Sequence, residues 1–429
     1  MKELRNNNLI SKLTAAFLST LLIVAIVAAN TASLYAYTKI GRSKKAAPDI
    51  VAQNAVMYSD DLEKTIYAKN ENDRCEPYSI TKLMTAWLVC ENLDMDQVVT
   101  VSKNAANPPG DSMRINLQEG EKISVKNLMY GMLLSSGNDA ATALGEAVAG
   151  SEEKFAKLMT ETAKSWGCTN TSFANAHGMS DAKHYTTAAD FLIIANKAFA
   201  VDTIREITAT KQYTIPATNK YGTRECKNHT THINDEGLGV VRGKTGTWDD
   251  EDCSVVLQYE KNELKLTLVL IHDTKQGRLS DTTALLNYAH KITPGYLVAS
   301  TKESAGTLWI KGGKRTRIPV YVDKDVNAYP KDDKEGKIKV KLIKNDDVVA
   351  PLKKGAVVGK YEVYVDKKLI ATRNLVVKQN VDKGLFTANA YISDRAALVI
   401  LLVIIAYVIL LFVVAKQRKK RTRRKRRYN

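Results

Sequence analysis

The spacing of apolar and polar residues changes character along the chain. From Ile50 a mixed pattern begins. Val51 to Tyr58 and Thr65 to Tyr67 read as a strand hairpin around the polar turn Ser59-Asp60-Asp61. Ser79 to Leu93 carries Leu83, Met84, Ala86, Trp87 and Leu88 at helical spacing. Val125 to Leu134, Ala140 to Val148, Phe155 to Trp166 and Ala188 to Phe199 read as further helices. Leu264 to Ile271 reads as a strand and Thr282 to His290 as a helix. Strands at both ends with helices between predict an α+β layered domain over 46–294, closing near Pro294. Short alternating runs then take over: Thr307 to Ile310, Thr316 to Val322, Ile338 to Leu342, Tyr361 to Val365 and Leu369 to Val377. Gly, Asn, Asp and Lys separate them. They predict a small all-β domain over 295–388. It holds no cluster of catalytic residue types, so a spacer or binding platform is expected.

Two uncharged runs flank these domains. Ala396 to Ala415 is twenty residues with Tyr407 as the only polar-capable side chain. As a helix it spans a bilayer core of about 30 Å. Residues 416–429 follow with ten Lys/Arg and no acid, which predicts a basic cytoplasmic tail. Near the start, Leu13 to Ala29 follows Lys2, Arg5 and Lys12. Residues 1–45 therefore read as an export signal, with small residues suited to cleavage near Ala29 or Ala36, or as a retained N-terminal anchor, followed by a linker. Either reading puts the intervening domains outside the membrane.

The net charge of +17 changes meaning in this light. Seven Lys/Arg against one Glu fall in 1–45, and ten more lie in the tail, so the span between is nearly neutral. That is a topology signal, and it excludes a nucleic-acid groove. Five cysteines, Cys75, Cys90, Cys168, Cys226 and Cys253, form no C-x-x-C, so neither a thiol redox centre nor a zinc ribbon is expected.

The chemistry starts from a serine. A hydroxyl is a poor nucleophile until a base takes its proton, and a lysine of lowered pKa can serve. Ser79-Ile80-Thr81-Lys82 places the two at i and i+3 on one helical face. Ser151 with Lys154 and Ser180 with Lys183 share the spacing, so the string alone says little. Context separates Ser79. Pro77 precedes it and an apolar helix follows, which puts it in a first turn with its N–H free to donate to an oxyanion. Ser136-Gly137-Asn138 adds a second hydroxyl for proton relay and an amide for orienting substrate or lysine. Ser102-Lys103-Asn104 repeats that pattern by chance. Lys244-Thr245-Gly246-Thr247 adds a cation and hydroxyl for a carboxylate, a glycine for close approach, and the Thr247 N–H as a second oxyanion donor.

In this order and spacing the three segments resemble the penicillin-recognising serine enzymes, with S-x-x-K, S-x-N and K-T-G. The chain is most similar to the D-alanyl-D-alanine carboxypeptidases, the low-molecular-mass penicillin-binding proteins, over roughly residues 50–385. Pro77 to Ala86, Ser136 to Ala140, Phe173 to Met179, Tyr185 to Ala188 with Asp190, and Pro351 to Val377 carry the likeness. It implies a β-lactamase/transpeptidase-like catalytic domain, then the all-β domain and the transmembrane helix. It implies that Ser79 attacks the carbonyl between two D-alanines of a peptidoglycan stem peptide, that Lys82 takes its proton, and that Ser136 and Lys244 relay one to the leaving D-alanine. Asn138 would position substrate; Thr245 and Arg278 would hold its carboxylate. No cofactor or metal is implied, and β-lactams would be inhibitors. His177 would stand beside the site rather than act as base, and His229 with His232 lack a carboxylate set for a metal.

Two features depart from the family. Tyr78 stands where many relatives have Ala, and Trp248-Asp249-Asp250-Glu251-Asp252 follows Thr247 where relatives have small residues. A Cys75–Cys253 bridge is conceivable in an exported chain. Two other functions fit the same fold: a non-catalytic wall-binding or β-lactam-sensing protein, and a serine β-lactamase. The second lacks its E-x-x-L-N segment here.

Overall fold

The computed structural model describes residues 37–425 apart from 111, 236 and 347. The N-terminal apolar run and the last four residues lie outside the described residues. Five antiparallel strands form the first sheet: β1 (Asn54–Ser59), β2 (Lys64–Lys69), β3 (Val240–Thr247), β4 (Cys253–Lys261) and β5 (Leu264–Asp273). Their order is β2-β1-β5-β4-β3, so β5 is central and β3 is an edge. Both faces of β5 are covered. Leu266, Leu268 and Leu270 pack with Met57, Leu257, Leu285 and Leu286. Val269 and Ile271 face a helical layer that includes Ile80, Leu83 and Phe191. That two-sided burial is why its sequence reads as a nearly continuous apolar run.

The helical layer comprises α1 (Lys82–Asn92), α2 (Val125–Leu134), α3 (Asn138–Ala149), α4 (Glu152–Ser165), α5 (Ala188–Ala200) and α6 (Asp202–Ala209). α7 (Gly277–Ile292) covers the opposite face of the sheet. α1 is central, with Lys82 through Ala86 all buried. All five helices expected in this layer, from Ser79–Leu93 to Ala188–Phe199, form. The Ser79–Leu93 helix opens differently, as a 3₁₀ turn over Tyr78–Thr81 before α1. α7 begins at Gly277, ahead of the expected Thr282, because the one large apolar residue of its first turn, Leu279, faces solvent and leaves no apolar face to read.

Thr38–Ile40, Gly295–Ala299 and Val326–Ala328 form a small connecting sheet. Beyond it lies an all-β unit of β6 (Gly306–Trp309), β7 (Arg317–Val322), β8 (Ile338–Lys344), β9 (Val357–Val365) and β10 (Lys368–Val376). They order β6-β7-β10-β9-β8 around a separate core containing Val320, Val358, Tyr361, Val363 and Leu375. The turn joining β4 to β5 reaches toward this unit. Asn262 and Glu263 both have positive φ, 51° and 62°. Glu263 accepts the Asn327 N–H at 2.8 Å and pairs with Arg373. The chain's described part ends in α8 (Asp394–Lys425), whose Asp394–Gln417 stretch, with mean hydropathy 3.5 over its most apolar eighteen residues, is long and apolar enough to cross a membrane.

All five cysteines are free thiols, so the Cys75–Cys253 bridge is not formed. Cys75 Sγ lies 3.6 Å from the Thr186 carbonyl and Cys253 Sγ lies 3.1 Å from that of Asp249, each on its own backbone partner.

The loop from Thr171 to Thr187 runs beneath the 3₁₀ turn. Thr85 Oγ1 donates to the Ala176 carbonyl at 2.6 Å. His184 Nδ1 accepts the Ala174 N–H, which leaves Nε2–H for Thr81 Oγ1 at 2.9 Å. Burial holds this imidazole neutral, down at about 3. Gly178 makes the closest approach: at φ 92°, a Cβ there would lie 1.9 Å from the Tyr78 carbonyl oxygen. Gly150 has φ 81° but open space around it. Thermal unfolding should therefore separate the two. Gly150→Ala should lose about 1 kcal/mol from backbone strain alone. Gly178→Ala should lose on the order of 3 kcal/mol, since it adds a clash to the same strain. Equal losses would show that the close approach carries no weight.

Candidate active site

The 3₁₀ turn, the start of α3 and the edge strand β3 converge on one point. Lys82 is fully buried, and its Nζ has three oxygen neighbours at 2.7 Å each: Ser79 Oγ, Asn138 Oδ1 and the His177 carbonyl. A charged ammonium donates to all three. A neutral amine donates to the two carbonyl-type oxygens, which cannot donate back, and turns its lone pair to the Ser79 hydroxyl. The surroundings favour that second state. Burial and then the nearby Lys244 charge push the Lys82 pKa well down, against a smaller opposing pull from Asp139.

Ser136 has φ 58°, in the left-handed region, at the corner between α2 and α3. The corner is pinned from below. Asp139 accepts N–H bonds from Ile115 and Leu117 at 3.0 Å, and Asn138 N–H donates to the Met113 carbonyl at 2.7 Å. From β3, the buried Lys244 Nζ donates to Ser136 Oγ at 3.0 Å and to the Thr245 carbonyl at 2.7 Å. Its pKa falls to about 7, from burial first and then the Arg278 charge. At neutral pH such an amine can both give and take a proton.

β3 lies close against the 3₁₀ turn that carries Ser79. A Cβ on Gly246 would meet Ser254 Oγ at 2.2 Å and Ser79 N at 3.0 Å, so only glycine fits. Ser254 Oγ in turn donates to the Pro77 carbonyl at 2.8 Å. Arg278, in the first turn of α7, reaches back to this strand. Its Nη1 donates to the Gly246 carbonyl at 3.1 Å and Thr247 Oγ1 at 3.3 Å. The sequence-predicted residues Ser79, Lys82, Ser136, Asn138, Lys244, Thr245, Gly246, Thr247 and Arg278 thus meet around one cleft. The look-alikes do not. Ser151 Oγ caps α4 through the Lys154 N–H, Ser102 Oγ caps a single helical turn, and Ser180 Oγ donates to Glu76.

His177 contributes its carbonyl to Lys82, while its ring is spent elsewhere. Nδ1 accepts the Met179 N–H at 3.1 Å, and Nε2 faces Glu152 at 3.2 Å. His232 Nε2 lies 3.2 Å from the Arg278 carbonyl. Among the described residues no group of three His, Cys, Asp or Glu could hold a metal.

Sequence reasoning missed one cluster. Tyr78, at φ 54°, donates its hydroxyl to Asp252 Oδ2 at 2.7 Å. His272 Nδ1 approaches the same carboxylate at 2.8 Å. Trp248 stacks on the Tyr78 ring at 6.2 Å between centroids, and His272 meets it edge-on at 6.0 Å. Burial and then the Asp252 bond raise the phenol pKa far above its ordinary value, so Tyr78 stays protonated. The two family departures are therefore one structure. Their co-occurrence in the sequence was the available signal.

Residues 42–275 match the family model described as D-alanyl-D-alanine carboxypeptidase, and 297–383 match the penicillin-binding protein 5 C-terminal domain. The chain is 29% identical over 376 residues to the D-alanyl-D-alanine carboxypeptidase DacF of Bacillus subtilis (strain 168), covering 86% of this chain and 95% of that one. It is 28% identical over 354 residues to DacC of Escherichia coli (strain K12), covering 79% and 86%. Penicillin-binding protein 5 from Haemophilus influenzae superposes with a TM-score of 0.54 at 26% identity, over 79% of this chain and 100% of that one. The Streptomyces K15 DD-transpeptidase superposes at 0.53 and 27% identity, over 57% and 99%. With the catalytic match covering more than half of its length, the chain belongs to the D-alanyl-D-alanine carboxypeptidase family of serine-type penicillin-binding proteins.

Proposed function

We propose that Ser79 is the nucleophile of this DD-carboxypeptidase and Lys82 its base, and that the enzyme removes the terminal D-alanine from peptidoglycan stem pentapeptides. The observation that carries this reading is the buried Lys82 amine, held at 2.7 Å from Ser79 Oγ by two fixed carbonyl oxygens. Ser79 Oγ bonds to the carbonyl carbon of the penultimate D-alanine, and its proton passes to Lys82 Nζ. The N–H groups of Ser79 and Thr247 stabilise the oxyanion. The C–N bond then breaks, and the proton held by Lys82 passes by way of Ser136, with Lys244 beside it, to the leaving amine, so Lys82 is neutral again. Thr245, Thr247 and Arg278 hold the departing carboxylate, across the slot that Gly246 keeps open. Asn138 orients substrate and Lys82 together. Water attacks the resulting ester and gives its proton to Lys82, which hands it to Ser79 Oγ as the acyl C–O bond breaks, restoring both the hydroxyl and the neutral amine. A β-lactam enters the same path and stays bound as an acyl group on Ser79.

In this reading 46–294 is the catalytic unit, 295–388 a platform, and 396–415 a single membrane pass. The tail at 416–429 faces the cytoplasm and the catalytic unit lies outside, because a basic run beside a span stays inside. Residues 1–45 serve export.

Ser79→Ala should abolish labelling by fluorescent penicillin and release of D-alanine from a pentapeptide. Lys82→Ala should keep binding but slow acylation about a hundredfold, the usual scale for a lost base. Penicillin labelling of Ser79→Ala would remove Ser79 as nucleophile.

Acid should silence the enzyme. A neutral Lys82 is the reactive form, and lowering pH protonates it. The acylation rate should drop about tenfold per pH unit below the Lys82 pKa, a value set below the ordinary lysine range. A rate indifferent to acid would rule Lys82 out as the base.

Tyr78 and Asp252 are proposed as positioning residues for the Ser79 N–H. Tyr78→Phe and Asp252→Asn should each slow acylation about tenfold, the scale of one buried hydrogen bond. The double variant should be no slower than either single one. Additive effects in a thermodynamic cycle, or loss of melting temperature without loss of rate, would assign the pair to stability alone.

A further inference from the structure

Where the chain leaves the β-domain and enters α8, a cleft of about 980 Å³ opens at the foot of that domain. β7 and the residues before it form one wall, 377–382 form another, and the first turns of α8 close the end. Its lining holds five cations and two acids. Both acids have partners already. Asp382 lies 3.7 Å from Lys314, and Asp394 accepts the Leu385 N–H at 2.9 Å. Arg315, Lys378 and Arg395 are exposed on the rim, with Lys378 Nζ resting 4.4 Å over the Tyr321 ring.

The rest of the cleft is not polar. Trp309 and Tyr391 meet edge to face at 6.3 Å on its border, both exposed. Ile400 of α8 lines the far end, about 9 Å along the helix from Asp394 at the ordinary rise. Beside the cleft, Leu385 and Phe386 are 59% and 84% exposed. Cations, aromatic rings and an aliphatic helix face meet in one place beside the apolar helix, the combination that suits a membrane–water interface. A soluble polyanion would meet the cations but has no use for Ile400, Leu385 and Phe386.

We infer that this cleft seats the headgroup of an anionic phospholipid on the outer face of the membrane, with phosphate on Arg315, Lys378 and Arg395 and the start of an acyl chain along Ile400. Guanidinium groups suit phosphate oxygens through paired N–H donors. The β-domain then lies against the bilayer rather than standing off on a stalk. The inference rests on the reading of α8 as a membrane span, which sets the depth of each group.

The full chain is placed in nanodiscs of phosphatidylcholine, with or without phosphatidylglycerol, and followed by hydrogen exchange. Segments 309–321 and 377–392 should exchange more slowly when phosphatidylglycerol is present. The variant Arg315→Glu/Lys378→Glu/Arg395→Glu should lose that slowing while staying in the disc and releasing D-alanine normally. Equal exchange in the two lipids, or slowing that survives in the variant, overturns the cleft. Slowing by inorganic phosphate in phosphatidylcholine discs overturns the lipid as its source. Failure to enter any disc refutes the span alone. The cleft is then decided by co-sedimentation with phosphatidylglycerol vesicles, where the variant should bind on the order of a hundredfold more weakly. Equal binding of both forms would again overturn it.

Discussion

The Lys82 amine sits where water does not reach, and no carboxylate touches it. A lone buried ammonium is costly, and that cost pushes the Lys82 pKa well below the ordinary lysine value. Much of the surrounding structure follows from keeping that amine both dry and aimed. It needs acceptors that cannot act as bases in its place, and an amide oxygen and a backbone carbonyl meet that need. The amide requires α3 to start at Asn138, and Asp139 secures that start by gathering three backbone N–H groups from two segments. The carbonyl requires the His177 loop to pass under the 3₁₀ turn, which Gly178 and neutral His184 allow. Lys244 repeats the logic one step out, with a hydroxyl and a carbonyl as its partners.

The hydrophobic pattern made the helical layer and β5 legible because their burial is strongly periodic or nearly complete. It gave no sign of β3, Val-Val-Arg-Gly-Lys-Thr-Gly-Thr, because that strand is built for a ligand: its glycines and polar groups replace the apolar residues that mark a strand. Motif order and spacing recovered it instead. The 3₁₀ opening before α1 was not legible for a different reason. It is imposed by tertiary contacts, Ser254 on Pro77 and β3 against Ser79, and local propensity has no record of them. For the same reason the S-x-x-K string could not by itself tell Ser79 from Ser151. The second is a helix cap while Ser79 Oγ faces the Lys82 amine, and only the fold separates the two.

The acidic stretch after Thr247 lies beside the strand proposed to bind an anionic substrate. In the fold two of its charges are committed. Asp252 is held by Tyr78 and His272, and Asp250 by Lys275 at 2.9 Å. The 3₁₀ turn that carries Ser79 has to be held in place. Here a phenol, a carboxylate and two further rings do so, and the left-handed backbone at Tyr78 is the strain they sustain. The substitution of bulky for small residues is therefore paired, and neither member makes sense without the other.

A second strained residue links the site to the membrane end. Glu263 sits at positive φ in a two-residue turn, where Gly or Asn is the usual choice. Its carboxylate leaves the catalytic sheet to bind Asn327 and Arg373 of the neighbouring β units. The turn belongs to the β4–β5 hairpin, and β4 pairs directly with β3. The strand that lines the active cleft is thus two steps from the contact that grips the β-domain. A flexible tether would leave orientation to chance. On the proposed reading of α8 as a membrane span, this contact would help set how β3 faces the bilayer. The strain at Glu263 is then the local cost of fixing the catalytic sheet against the β-domain.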